Sequence, residues 1–139
     1  MPDTHVAKKL QIKPGSRVLA LHAPPGYREA LGPLPEGAEL AESPGGSFDV
    51  VHLFVGGQAD LRRDAAAAIG AVRPGGVLWI SYPKRSSKVD TDLTRDAGWE
   101  PVGQAGWQAV SQISVDPVWS ALRFRPIPEG ARVRPPGHA

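Results

Sequence analysis

The stretch that decides the fold is "RVLALHAPPGYREALG", residues 17–32. Its first five residues, Arg17 to Leu21, form an almost unbroken apolar run, the pattern of a strand covered on both faces. Tyr27 to Leu31 reads as a short helix stopped by Gly32-Pro33. Between them lies His22-Ala23-Pro24-Pro25-Gly26. A proline has no backbone N–H and a fixed φ, so this loop offers little bare backbone for its length. A buried strand running through a tight loop into a helix is the opening unit of an open α/β sheet.

Working outward, Val6 to Ile12 places Val6, Leu10 and Ile12 beside Lys8 and Lys9, which predicts a short helix across the sheet edge, and Lys13-Pro14-Gly15 is a turn. Downstream, Ala38 to Glu42 is a short second strand. Phe48 to Val55 is a strongly β-forming third strand, ended by Gly56-Gly57. Ala59 to Val72 has Leu61, Ala65, Ala68, Ile69 and Val72 near helical spacing, with Arg73-Pro74-Gly75-Gly76 stopping the helix. Val77 to Tyr82 is the fourth strand. Asp92 to Ala105 is expected to be helical with a break at Pro101, its start capped by Asp90 or Asp92 with Thr91 or Thr94. Gln108 to Val115 and Val118 to Phe124 are the last two strands. The Asp116-Pro117 turn between them is too short for a parallel crossover, so the last strand should run antiparallel. The expected fold is a three-layer, Rossmann-like α/β domain with a mostly parallel sheet of about six strands and a C-terminal antiparallel strand. It covers residues 16–125, after an N-terminal segment 1–15 and before a flexible basic tail 126–139.

Composition sets wide bounds. The chain has 139 residues, enough for one domain with one core, and its 41% hydrophobic and 22% charged residues are ordinary for a globular protein. Without cysteine it can make no disulfide, thiolate metal site or cysteine nucleophile. No apolar run is long enough to span a bilayer, and the first residues lack the regions of a signal peptide, so a cytoplasmic location is the default expectation. A formal charge of +2 is too mild to argue for nucleic acid. Neither a membrane nor nucleic acid is an expected partner; a small anionic molecule or a protein is.

The order of elements resembles the class I S-adenosylmethionine-dependent methyltransferase fold. "FDVVHLFV", "AVRPGGVLWIS" and "AGWQAVSQISVDPVWSALRFR" resemble its fourth strand, its helix, turn and fifth strand, and its terminal antiparallel pair. That fold normally has seven strands, and six are counted here, with little room between Glu42 and Phe48 for the missing unit. The resemblance implies an acidic residue and Gly-x-Gly after the first strand. Leu21-His22-Ala23-Pro24-Pro25-Gly26 supplies one glycine and no acid, so S-adenosylmethionine is expected to bind weakly or not at all. It also implies an acidic residue after the second strand for the ribose hydroxyls, and Glu42 stands there. The chain further resembles an uncharacterised bacterial family, a domain of unknown function, in Lys13-Pro14-Gly15, the stretch Pro83 to Asp96, and Trp119 to Phe124; no activity comes with that resemblance.

In open α/β sheets ligands bind outside the carboxyl ends of the strands. That rule gathers His22 and Tyr27 after the first strand, Gly56 and Gly57 after the third, Lys84, Arg85, Ser86, Ser87 and Lys88 after the fourth, and Trp119 at the final hairpin. Lys84 to Lys88 carry three cations and two hydroxyls, which suits an anion or is a solvated loop. Gly56-Gly57 would allow close backbone approach, and Tyr27 and Trp119 would close the sides with aromatic surface. His22 is a candidate base with no partner evident in sequence, and His52 reads as a packed strand residue. No spacing suggests a metal. Two functions follow: a non-catalytic binding or interaction module with no cofactor, taking an anionic small molecule at this edge, or a methyltransferase with an atypical cofactor loop.

Overall fold

A computed structural model describes residues 6–43, 45–84, 91–94, 97–115 and 117–127. In chain order the elements are α1 (Val6–Lys9), β1 (Arg17–Leu21), α2 (Tyr27–Leu31), β2 (Glu39–Ala41), β3 (Phe48–Phe54), α3 (Gln58–Ala71), β4 (Val72–Pro83), α4 (Glu100–Gln104), β5 (Trp107–Ser114) and β6 (Trp119–Pro126). The strands form one sheet in the order β2-β1-β3-β4-β6-β5. The first four are mutually parallel; β6 runs antiparallel to both β4 and β5. This is the expected mixed Rossmann-like sheet. β2 is its outer edge, because the link from Glu42 to Ser47 is too short for another strand and helix.

Alternation along the central strands sends side chains to two faces. Leu19, Leu21, Val51, Leu53, Leu78 and Ile80 face α3 and α4, where Leu61, Ala65, Ala68 and Val102 meet them. Val18, Ala20, Val50, Phe54 and Trp79 face the opposite way, toward Ala7, Leu10, Tyr27 and Leu31. The small alanines of α3 let that helix lie close on the sheet, since apolar surface is buried with little side-chain bulk between the layers.

The structure corrects four boundaries. The N-terminal helix lies over a sheet face, not across the edge. Leu10 is fully buried, and its carbonyl accepts the indole N–H of Trp79 at 3.1 Å, an acceptor that a buried indole requires. Arg73-Pro74-Gly75-Gly76 does not simply stop α3; it belongs to β4 as a bulge, where the register jumps from Phe48 opposite Val72 to Val50 opposite Val77. A Cβ at Gly76 would lie 2.9 Å from the Asp49 carbonyl, so only glycine fits there.

The expected helix Asp92–Ala105 shrinks to α4. Gly98 adopts φ +101°, which breaks a helix, and Thr94 instead bridges to Ala97. The sheet runs past the expected start of the tail at residue 126. Pro126 ends β6, and the Ile127 N–H donates to the Gly106 carbonyl at 2.7 Å. Residues 128–139 lie outside the described residues. Among the described residues no helix is long and apolar enough to cross a membrane.

Candidate functional site

A groove of about 500 Å³ opens where the carboxyl ends of β1 and β2 meet. Its walls include His22, the Ala23–Gly26 loop, Arg28 and Glu42. β1 delivers the loop and β2 delivers Glu42, so the parallel pairing of these two strands builds the site. Gly26 adopts φ +88° and starts α2, a conformation that glycine takes at little cost. Pro24 and Pro25 leave two of the loop's backbone nitrogens without a proton.

His22 also has positive φ, +60°, which a side-chain-bearing residue adopts only under constraint. His22 Nε2 lies 3.3 Å from the Asp64 carboxylate of α3, and Asp64 also accepts from Arg63 at 2.9 Å. Arg63 and, to a smaller degree, His22 hold the Asp64 carboxyl below the usual carboxylate range. Sequence reasoning found no carboxylate for His22 because Asp64 comes from a helix that crosses the opposite face. Its only sequence signal is one acid among the polar positions of an amphipathic helix.

Glu42 faces Arg28 across the groove at 3.4 Å, both side chains well exposed. An exposed pair of this kind is weak and exchanges readily for a ligand.

Tyr27 lines the groove, with its side chain buried. Its hydroxyl lies 2.8 Å from His52 Nδ1, and His52 Nε2 lies 2.6 Å from Ser81 Oγ. Whichever ring nitrogen carries the proton, one hydroxyl can donate and the other accept. His52 is fully buried, as expected of a packed strand residue, and burial pushes its pKa down to about 3. This chain of contacts ties the start of α2 to β3 and β4.

The other described candidates lie elsewhere on the same edge. The Gly56 N–H donates to Asp60 at 2.9 Å, and the Gln58 N–H to Asp92 at 2.7 Å. Asp92 therefore caps α3 rather than its own segment. A Cβ at Gly57 would sit 2.8 Å from that carboxylate, so the close backbone approach there is used by Asp92. Lys84 Nζ donates to Ser114 at 2.7 Å. Trp119 is half-buried with its ring edge-on to Phe54 at 5.1 Å. Arg85, Ser86, Ser87 and Lys88 lie outside the described residues.

No family model matches the chain, and no curated protein matches it. Solved structures do. Ribosomal protein L11 methylase from Lactobacillus delbrueckii subsp. bulgaricus aligns with 87% of this chain and 74% of its own length, at 11% identity and TM-score 0.57. The Methanococcus jannaschii fibrillarin pre-rRNA processing protein aligns with 83% of this chain and 68% of its own, at 15% identity and TM-score 0.59. An S-adenosylmethionine-dependent methyltransferase from Aquifex aeolicus covers 86% of each chain, at 13% identity and TM-score 0.53. The fold is that of the class I S-adenosylmethionine-dependent methyltransferases. At these identities the likeness is one of fold, and the absence of a family match leaves the resemblance to an uncharacterised bacterial family without support.

Proposed function

We propose that this chain is a methyltransferase-type domain that binds an S-adenosylmethionine-like ligand through its nucleoside half, in the groove between β1 and β2. The observation that carries the reading is Glu42 at the end of β2, on the rim of a groove of about 500 Å³ in this fold. Its carboxylate can accept both hydroxyls of a ribose, displacing Arg28. The amino-acid tail gains little from Pro24 and Pro25, so the full cofactor and the bare nucleoside should bind alike and weakly. S-adenosylmethionine, when bound, supplies an electrophilic methyl group. His22, held by Asp64, places a basic nitrogen at the mouth of the same groove.

Titration calorimetry with S-adenosylmethionine, S-adenosylhomocysteine and adenosine tests this. The three should agree within about threefold. Glu42→Gln should weaken each about tenfold, the scale of one charge-assisted hydrogen bond. Absence of binding at millimolar ligand, or a Glu42→Gln variant that binds like the parent, overturns the reading. Low-micromolar S-adenosylmethionine with much weaker adenosine would show that the proline loop does hold the tail. Turnover is read separately, as release of S-adenosylhomocysteine with candidate acceptors.

A further inference from the structure

A second concavity lies on the opposite edge of the sheet. It measures about 320 Å³ and sits where the bulged start of β4 meets the start of β5 and the end of β6. Arg73, Arg123 and Arg125 line it, with Trp107 and the Gly75-Gly76 backbone. Among the described residues that line it, none is acidic.

The three arginines are not equivalent. Arg73 is already committed: its Nε pairs with Asp49, and its Nη1 donates to the Pro74 carbonyl at 3.1 Å. Arg123 and Arg125 stand two residues apart on β6, on one face of the sheet, and among the described residues neither makes an ion pair. The Nε of Arg123 is buried and has no hydrogen-bond partner among the described residues. Buried N–H groups in folded proteins almost always find an acceptor, and a guanidinium cannot escape the cost by losing its proton. Arg123 therefore lines this cavity with a guanidinium that no described group neutralises.

We propose that this cavity binds a small phosphate-bearing anion, with Arg123 and Arg125 as its principal ligands. Guanidinium forks match phosphate oxygens in pairs, which a single ammonium cannot do. The volume is at the small end of ligand cavities and suits a compact phosphate ester. Trp107 and Phe124 line the cavity from the α4 face of the sheet and supply apolar surface at its other side. The site stands apart from the β1–β2 groove and does not depend on what that groove binds.

Thermal stability and titration calorimetry with inorganic phosphate and with phenyl phosphate, against sodium chloride at matched ionic strength, test the proposal. Phosphate should raise the melting temperature where chloride does not, and phenyl phosphate should bind more tightly than inorganic phosphate. Arg123→Leu and Arg125→Gln should each weaken binding at least tenfold, while Glu42→Gln in the distant groove leaves it unchanged. Arg125 is exposed, so its variant keeps the test valid if Arg123→Leu disturbs the sheet. Equal effects of chloride and phosphate, or two arginine variants that bind like the parent, overturn the proposal. A short oligothymidylate that binds far more tightly than phenyl phosphate, with a steep salt dependence, would make this a nucleic-acid surface and overturn the small-ligand reading.

Discussion

The two faces of the sheet are packed by different chemistry. On the α3 and α4 face the buried contacts are apolar: Leu61, Ala65 and Ala68 share a cluster with Leu19, Leu53 and Leu78, and Tyr82, Trp99 and Phe124 form an aromatic group beside them. Under α2 the same sheet buries a polar line, Tyr27 to His52 to Ser81, with Phe54 stacked on the imidazole at 4.2 Å. Apolar packing is non-directional and rewards area. A buried hydrogen-bonded line rewards one geometry and penalises all others. The α3 face therefore supplies most of the cohesion, and the α2 face fixes where the proline loop sits. That division suits a site: the wall that carries Pro24, Pro25 and His22 is held in one position by a helix of only five residues.

The largest expected effect tests the apolar face. Leu61→Ala deletes a fully buried side chain between α3 and the sheet and should cost about 3–5 kcal/mol, read as a lower urea midpoint with an unchanged slope. A loss under about 1 kcal/mol would mean that α3 contributes little of the cohesion assigned to it.

Next is the polar face. Burial holds His52 neutral, with a pKa pushed down from 6.5 to about 3. The unfolded chain takes up this proton first as the pH falls, so the stability tied to it is complete above about pH 6.5 and is lost progressively toward pH 3. The slope in that window is about 1.4 kcal/mol per pH unit. Denaturation midpoints compared at pH 7 and pH 5 should show it, and His52→Leu should flatten it while lowering stability at pH 7, because two hydroxyls lose their partner. An equal pH slope in wild type and variant would remove His52 from the account.

Asp92→Ala sharpens the comparison at the junction of the faces. It removes the acceptor of the Gln58 N–H and should cost about 1 kcal/mol, as the loss of a helix cap does. If the loss is real but Asp92→Asn restores it, the role is capping and not charge.

The smallest effect belongs to the groove. His22→Gly relieves a left-handed backbone and gives up the contact with Asp64, whose partner is half exposed. Strain of about 1 kcal/mol and an exposed ion pair of about 0–1 kcal/mol act in opposite directions. Stability should change by less than about 1 kcal/mol while ligand binding in the groove responds. A loss of several kcal/mol would make the pair structural rather than part of a site.

Residue pattern specifies the local elements of this fold. The apolar run Arg17–Leu21, the β-branched stretch at Phe48 and the alanine-rich helix after Gly57 each carry their own period, because side-chain direction repeats every two residues in a strand and every 3.6 in a helix. The antiparallel end followed from one short turn. Glu42 was legible as a candidate through the fold it resembles. The tertiary structure alone decided which distant groups meet. Asp92 caps a helix 34 residues earlier in the chain, Asp64 reaches His22 from another layer, and the Tyr27 hydroxyl meets His52. Arg123, which reads as one more surface charge near the chain's end, places a buried N–H without an acceptor beside a cavity. The physical reason is the same in each case. Hydrogen bonds and ion pairs act over about 3 Å between groups that the chain separates by tens of residues, and only the packed sheet brings them within that range.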